Sequence, residues 1–322
     1  LKSRTTLITG AALACMLVSF AVPANAAEAS GDALETLQAV TSDAASSASA
    51  VLSDVAAIPT DSSGTTAIDA TVNGVDVVIP VDPASPISLD SSGSSVSIEL
   101  PFAASASEAT AVMDGAVAYE NGNGSTTVPV VKNDGSLQIA TIIARADAPT
   151  RYAYDLSLPS GSMLVQEDGM VVIREADGSF AGGFAPAWAT DANGADVATR
   201  YEIEGSTLVQ VVEHTTSNVA YPVTADPYLG IALIQSGRWV NKSQGRTLEI
   251  TPTAWGRANG NNPTAVSALN SEFCGKFRSA CTTQMWWQLG CHAQFAPFKG
   301  TWNLDAWRYR PSYYAYIQNG CN

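Results

Sequence analysis

From about residue 70 onward, large apolar residues fall at every second position. Val96, Ile98 and Leu100 alternate with Ser95, Ser97 and Glu99, and Tyr152, Tyr154, Leu156 and Leu158 alternate with small or polar neighbours. Period two puts one set of side chains on one face of an extended strand. The same period recurs over residues 75–81, 128–131, 137–143, 163–166, 170–174, 201–204 and 208–214. Between these runs stand Asn133-Asp134-Gly135, Asp168-Gly169, Asp177-Gly178 and Asn193-Gly194, which form tight hairpin turns. The pattern predicts an all-β, antiparallel middle domain over residues 67–227. Asp191, Asn193 and Asp196 carry oxygens in a calcium-loop style, but the glycine is misplaced and no bidentate Glu follows, so this is read as a plain turn.

Beyond Pro227 the period changes. Residues 237–240 and 247–251 read as two short strands joined by the polar loop 241–246. Asn262-Pro263 is a helix start, with Asn as cap and Pro in the first helical position. Val266, Leu269, Phe273 and Phe277 then share one helical face. Further helices are predicted over 282–292, presenting Met285, Trp286 and Leu289 to the core, and over 313–319. A small α+β domain over residues 228–322 follows. At that size cross-links supplement a limited core.

Residues 27–66 are rich in Ala, Ser, Asp and Thr with few large apolar groups, and read as a solvated, flexible acidic leader. Before it, Lys2 and Arg4 precede the apolar run 7–22 and the small-residue motif Ala24-Asn25-Ala26, the layout of a signal peptide over residues 1–26. Cleavage near Ala26 would remove Cys15, and Ala12-Leu13-Ala14 before that cysteine is a poor lipidation motif. The longest later apolar run, 231–234, is too short to span a bilayer. The expectation is export, to the extracellular space or the cell envelope.

Charge divides at the same boundary. The chain carries a formal −14, but residues 27–227 hold five basic and 27 acidic residues, whereas residues 228–322 hold nine basic and three acidic ones. An acidic major part argues against a nucleic-acid partner. Six of the seven tryptophans and four of the five cysteines lie in the basic part. Cys274, Cys281, Cys291 and Cys321 allow three disulfide pairings. Cys274–Cys281 with Cys291–Cys321 is preferred, since it clamps the turn between two helices and ties down the C-terminus. Zinc held by Cys291 and His292 is disfavoured, because adjacent ligands diverge and there is no C-x2-C pair. No metal and no cofactor is expected.

Four separated segments carry a resemblance: Thr251-Pro252-Thr253-Ala254-Trp255-Gly256-Arg257, Gln288-Leu289-Gly290-Cys291-His292, Trp302-Asn303-Leu304-Asp305-Ala306-Trp307-Arg308 and the terminal Cys321-Asn322. Over about residues 236–322 the chain resembles the family called domain of unknown function 2599, which occurs in exported actinobacterial proteins. The resemblance implies that Cys291 pairs with Cys321. The Cys274/Cys281 pair departs from the pattern, as does an end that lacks residues after Asn322. Residues 160–229, ending Tyr221-Pro222-Val223-Thr224-Ala225-Asp226-Pro227, more loosely resemble a β-rich module that precedes varied C-terminal domains in such proteins. The family has no established activity and implies none here.

Chemistry is sparse. G-x-S-x-G, H-E-x-x-H and a phosphate loop are all missing from the sequence. The weak catalytic candidates are His292 as a hydrolytic base with Glu272 or Asp305. A helix-end histidine bonded to backbone is the plainer reading, and a binding role is favoured over an enzymatic one. Trp286, Trp287, Trp302, Trp307, Tyr309, Tyr313, Tyr314 and Tyr316 lie within 31 residues. A domain of this size cannot bury every ring. The candidate binding residues are Trp302, Trp307, Arg308, Arg310 and Lys299, facing an anionic cell-wall polymer or lipid headgroup. An alternative makes the acidic segment a pro-region that restrains a cationic, membrane-active C-terminal domain until proteolysis near residues 225–228.

Overall fold

Alternating strands with one apolar face must pair those faces to exclude water, and two large antiparallel sheets do so here. The computed structural model describes residues 24–42, 47–91 and 94–322. The first sheet has seven strands in the order β1 (Thr66–Val72), β2 (Val75–Pro80), β3 (Ile87–Ser91), β4 (Ser94–Glu99), β9 (Arg151–Ser157), β15 (Thr207–Val212) and β14 (Thr199–Glu204). The second runs β10 (Met163–Glu167), β11 (Met170–Arg174), β12 (Phe180–Phe184), β17 (Tyr228–Gly230), β8 (Leu137–Ile143), β7 (Ser125–Val131), β6 (Ala116–Glu120) and β5 (Thr110–Met113). It also takes in β16 (Val223–Ala225), paired to β8, and β13 (Ala189–Thr190), paired to β16. Ile68, Val77, Leu89, Ile98 and Tyr154 of the first sheet meet Val117, Ile139, Ile143, Val171 and Ile173 of the second in one core. The turn glycines Gly135, Gly169, Gly178 and Gly194 all have positive φ, the backbone that hairpin turns require.

The outer face of the second sheet is covered as well, and this explains why β8 is buried at every position. One cover is helix α1 (Ala24–Thr41), which places Ala33 and Leu37 on Ala116, Ala118, Val128, Val130, Ala140 and Ile142. The leader therefore is not a solvated, flexible segment over its described part. Its sparse apolar residues suffice because the sheet supplies the rest of the contact. Lys132 fixes the chain after α1: its buried ammonium donates to the carbonyls of Ala50, Val51 and Ser53. Burial lowers its pKa to about 8, with Asp54 and Asp134 opposing that shift. The expected signal segment, with Cys15, lies outside the described residues except for its last three, which open α1. No helix among the described residues is long and apolar enough to cross a membrane.

The second cover is the C-terminal region. A three-stranded sheet of β18 (Ile234–Lys242), β19 (Gly245–Pro252) and β20 (Trp302–Asp305) packs with α2 (Ala254–Ala258), α3 (Pro263–Lys276), α4 (Thr283–Phe295) and α5 (Tyr313–Gln318). Asn262 caps α3 by accepting from Thr264 N and Ala265 N, and Thr282 caps α4 by accepting from Met285 N. Trp255, Leu269, Phe273, Leu289 and Trp302 share a core with Met170, Val172, Ala185 and Tyr228 of the second sheet. That sheet runs through β17, past the expected boundary at Pro227. Among the described residues no salt bridge joins the acidic part to the basic part. The two parts meet through apolar packing and hydrogen bonds, not through their opposite charges.

Cys274 is bonded to Cys281 and Cys291 to Cys321, as suits an oxidising, extracellular environment. The second link spans 30 residues and joins α4 to the chain end. Replacing Cys291 and Cys321 by Ser is expected to cost about 3 kcal/mol, mostly by freeing the unfolded chain. A calorimetric Tm unchanged by the double replacement would contradict this.

Candidate anion-binding site

The hairpin of β18 and β19 sets the geometry of the site. Trp239 pairs with Leu248 and Asn241 with Arg246, so Trp239 and Arg246 are diagonal neighbours on one face. The Arg246 guanidinium lies over the Trp239 ring, 4.3 Å from its centre. Trp239 also packs against the core, so the stack has a fixed floor. Gly245, next in the hairpin, leaves room for a second indole: a Cβ there would stand 2.7 Å from Trp307 Cδ1. Trp307 is brought to this spot by the chain leaving β20, where Ala306 N donates to Arg246 O at 3.0 Å. Arg308 then folds back over the Trp307 ring at 4.3 Å.

The result is two guanidinium–indole stacks near the hairpin tip, one on each face, because the consecutive strand residues Gly245 and Arg246 point to opposite sides. Each indole presents negative π density to a cation, and stacking leaves guanidinium edges available for in-plane hydrogen bonds. The two arginines differ electrostatically. Arg308 Nε donates to Asp305 Oδ2 at 3.0 Å, and its side chain is 27% exposed. Arg246 and Lys242 are exposed and have no acidic partner among the described residues. Asp305 is itself committed: Oδ1 accepts from Thr247 at 2.6 Å, and its backbone exchanges two hydrogen bonds with the Gln288 amide. The tip therefore carries uncompensated positive charge beside half-exposed aromatic faces.

The other sequence candidates are dispersed. Trp302, expected at a binding surface, is fully buried in the core of the module, because it faces inward from the edge strand β20, opposite Ile250 of the central strand β19. Arg310 secures the chain end, donating from Nη2 to Asn322 O at 3.2 Å and from its backbone to Gln284. Lys299 is exposed, but it precedes β20, at the end opposite Trp307.

The catalytic candidates do not form a cluster. His292 is buried inside α4, and its Nε2 donates to Asn303 O at 3.1 Å. Burial holds its pKa below the ordinary histidine value, so the ring is neutral at neutral pH. Glu272 works elsewhere, accepting from Leu233 N and Ile234 N and pairing with Lys276 at 2.6 Å. No hydrogen bond joins His292 to Glu272 or Asp305. A cleft of about 750 Å³ lies beside α1 and is lined by none of the expected site residues. No described group of His, Cys, Asp and Glu is arranged to hold a metal.

Of the expected binding residues, Trp307 and Arg308 stand near the hairpin tip, and beside them the structure places Trp239, Arg246 and Lys242, which carry no local signal in the sequence. The expected strands end at Val240 and resume at Thr247, which puts Arg246 in the polar loop between them. In the structure only Ser243 and Gln244 are turn residues, and the longer ladder puts Arg246 in register beside Trp239.

Neither a curated protein nor a solved structure matches this chain. Residues 234–322, which hold both stacks and both disulfides, match the family described as Protein of unknown function (DUF2599), over the same C-terminal region that carries the resemblance in sequence.

Proposed function

We propose that the C-terminal region is an extracellular binding module for an anionic polymer of the cell envelope. The observation that carries this reading is Arg246, stacked on Trp239 at the hairpin tip and lacking any acidic partner among the described residues, with the Arg308–Trp307 stack on the other face of the same tip. A polymer laid across the tip meets Arg246 and Trp239 on one face and Lys242 and Trp307 on the other, the cations taking phosphate or carboxylate groups and the indoles the apolar surface of the repeating unit. Arg308, already neutralised by Asp305, acts mainly to hold Trp307 in place. The disulfides suit the same location.

Two other readings fit less well. A hydrolase using His292 needs substrate to reach a side chain that is 1% exposed. Release of the module by cleavage near residues 225–228 requires a protease to enter buried β16 and β17, which are paired to β8.

The full chain is expected to bind soluble polyphosphate or polygalacturonate with an affinity that falls steeply as salt is raised. Arg246→Glu should weaken binding at least tenfold, or about 1.4 kcal/mol. Arg278→Glu, a control on an exposed basic residue away from the tip, should leave it near the wild-type value. Equal binding by wild type and Arg246→Glu would overturn the assignment of this site.

A further inference from the structure

A second surface lies at the opposite end of β20. Helix α4 ends at Phe295, and the chain turns through Ala296, Pro297, Phe298 and Lys299 before entering β20. The turn is fixed from three sides. Ala296 N donates to His292 O at 2.9 Å, closing the helix. Lys299 N donates to Ala296 O at 3.2 Å, which makes a four-residue turn with Pro at its second position, where the fixed φ of proline is favoured. Arg257 Nη2 donates to Gly300 O at 3.0 Å and ties the far side of the turn to α2.

This braced turn holds out its apolar residues. Phe298 is 82% exposed and Phe295 is 54% exposed, the first being the most exposed large apolar side chain among the described residues. A phenyl ring kept in water by its backbone loses the burial that most aromatic residues obtain. The charged residues near it along the chain have one sign. Lys299 follows Phe298 directly and is exposed, and no acidic residue occurs anywhere between Glu272 and Asp305. Aromatic rings beside an unopposed lysine, on a rigid protrusion, match the boundary between lipid headgroups and acyl chains. A protein partner with an acidic groove would need the same charge, but it would not need two unshielded rings at the tip of a braced turn.

We propose that the turn 295–299 is a membrane-contact loop, with Phe295 and Phe298 entering an anionic lipid surface while Lys299 stays among the phosphates. The contact is separate from the anion site at the hairpin tip and does not depend on it. A single lysine near an anionic lipid surface adds only a small, salt-screened attraction, so the contact is weak, salt-dependent and reversible.

The test uses the full chain with vesicles of phosphatidylcholine alone or with about one-third phosphatidylglycerol. Wild type should co-sediment with the anionic vesicles and much less with the neutral ones. The double replacement Phe295→Ser and Phe298→Ser should lower partitioning at least tenfold, and both rings are exposed enough for the variant to fold. In the separate variant Phe298→Trp, tryptophan emission should shift to shorter wavelength on adding anionic vesicles. Absence of wild-type binding to either vesicle would overturn the proposal. So would binding that survives the double replacement but is lost in Arg246→Glu, because lipid would then be held at the hairpin tip. Binding to soluble polyanions is independent of these outcomes, so failure here leaves the reading of the Arg246 site standing.

Discussion

Replacing Trp255 by Ala is expected to cost about 4–5 kcal/mol, at the upper end for a large-to-small core change, and to destabilise both parts of the chain together. Trp255 is fully buried at the junction. Its ring rests on Gly230 of β17, where a Cβ would come within 2.3 Å of the indole, and lies 5.9 Å from the Phe180 ring of β12. Its indole N–H donates to Tyr228 O at 3.2 Å, and its backbone N–H donates to Asp134 Oδ2 at 3.1 Å. Asp134 belongs to the turn before β8, so one residue of the C-terminal region is held by two separate segments of the second sheet. Truncation empties a volume bounded by both. Urea unfolding followed by far-ultraviolet circular dichroism and by fluorescence should show one transition, displaced in both signals. Two transitions, with only the C-terminal one displaced, would show that the parts are independently stable. Gly230→Ala tests the same contact from the other side, since the added methyl must displace the indole.

The fused junction marks the limit of what the sequence made legible. Strand alternation at Val96–Leu100 and at Tyr152–Leu156, the turn glycines and the Asn262-Pro263 cap are local signals, and the elements they indicate are present. The outer face of the second sheet is not a local matter. Met170 and Val172 point to the C-terminal region, whereas Val171 and Ile173 point to the inner core. The unbroken apolar run Met170-Val171-Val172-Ile173 is a sequence sign of a strand covered on both faces. Charge and tryptophan content change sharply near Pro227, but composition reports what lies on surfaces and says little about which apolar faces meet. Helix α1 was obscured for a related reason. Ala33 and Leu37 gain most of their burial from the sheet rather than from each other, so the leader looks too poor in apolar groups when read alone. At the candidate site, Trp307 and Arg308 are neighbours in sequence and were legible. Trp239 and Arg246 meet only through a strand register that extends two residues further than the polar loop suggested.

Asp226→Asn is expected to remove a pH-dependent loss of stability, up to about 4 kcal/mol between about pH 4 and 7, that the buried Asp226 carboxyl imposes on the wild type. Asp226 sits between β16 and β17 and is completely buried. Its Oδ1 accepts from Trp188 N at 3.0 Å and Gln210 Nε2 at 2.9 Å, and its Oδ2 accepts from Tyr201 OH at 3.0 Å. Burial raises its pKa from 3.8 to about 7 in spite of these donors. The folded protein therefore holds a proton that the unfolded chain releases between those values. Its contribution is complete below pH 4 and is lost as pH rises through 7. Asn keeps the carbonyl acceptor for Trp188 and Gln210, and its amide can donate to the Tyr201 hydroxyl once that O–H turns away. Other groups also titrate: hydrogen bonds from Arg151 and Arg200 depress Glu202, and burial depresses His292. They are common to both proteins, so the difference between the two stability curves isolates Asp226. That difference should be smallest at pH 4–5 and should favour the variant increasingly toward pH 8. Curves that run parallel across this range in urea titrations would mean that the Asp226 carboxyl does not change protonation there. The three donors would then be holding it ionised throughout, at the full expense of its burial.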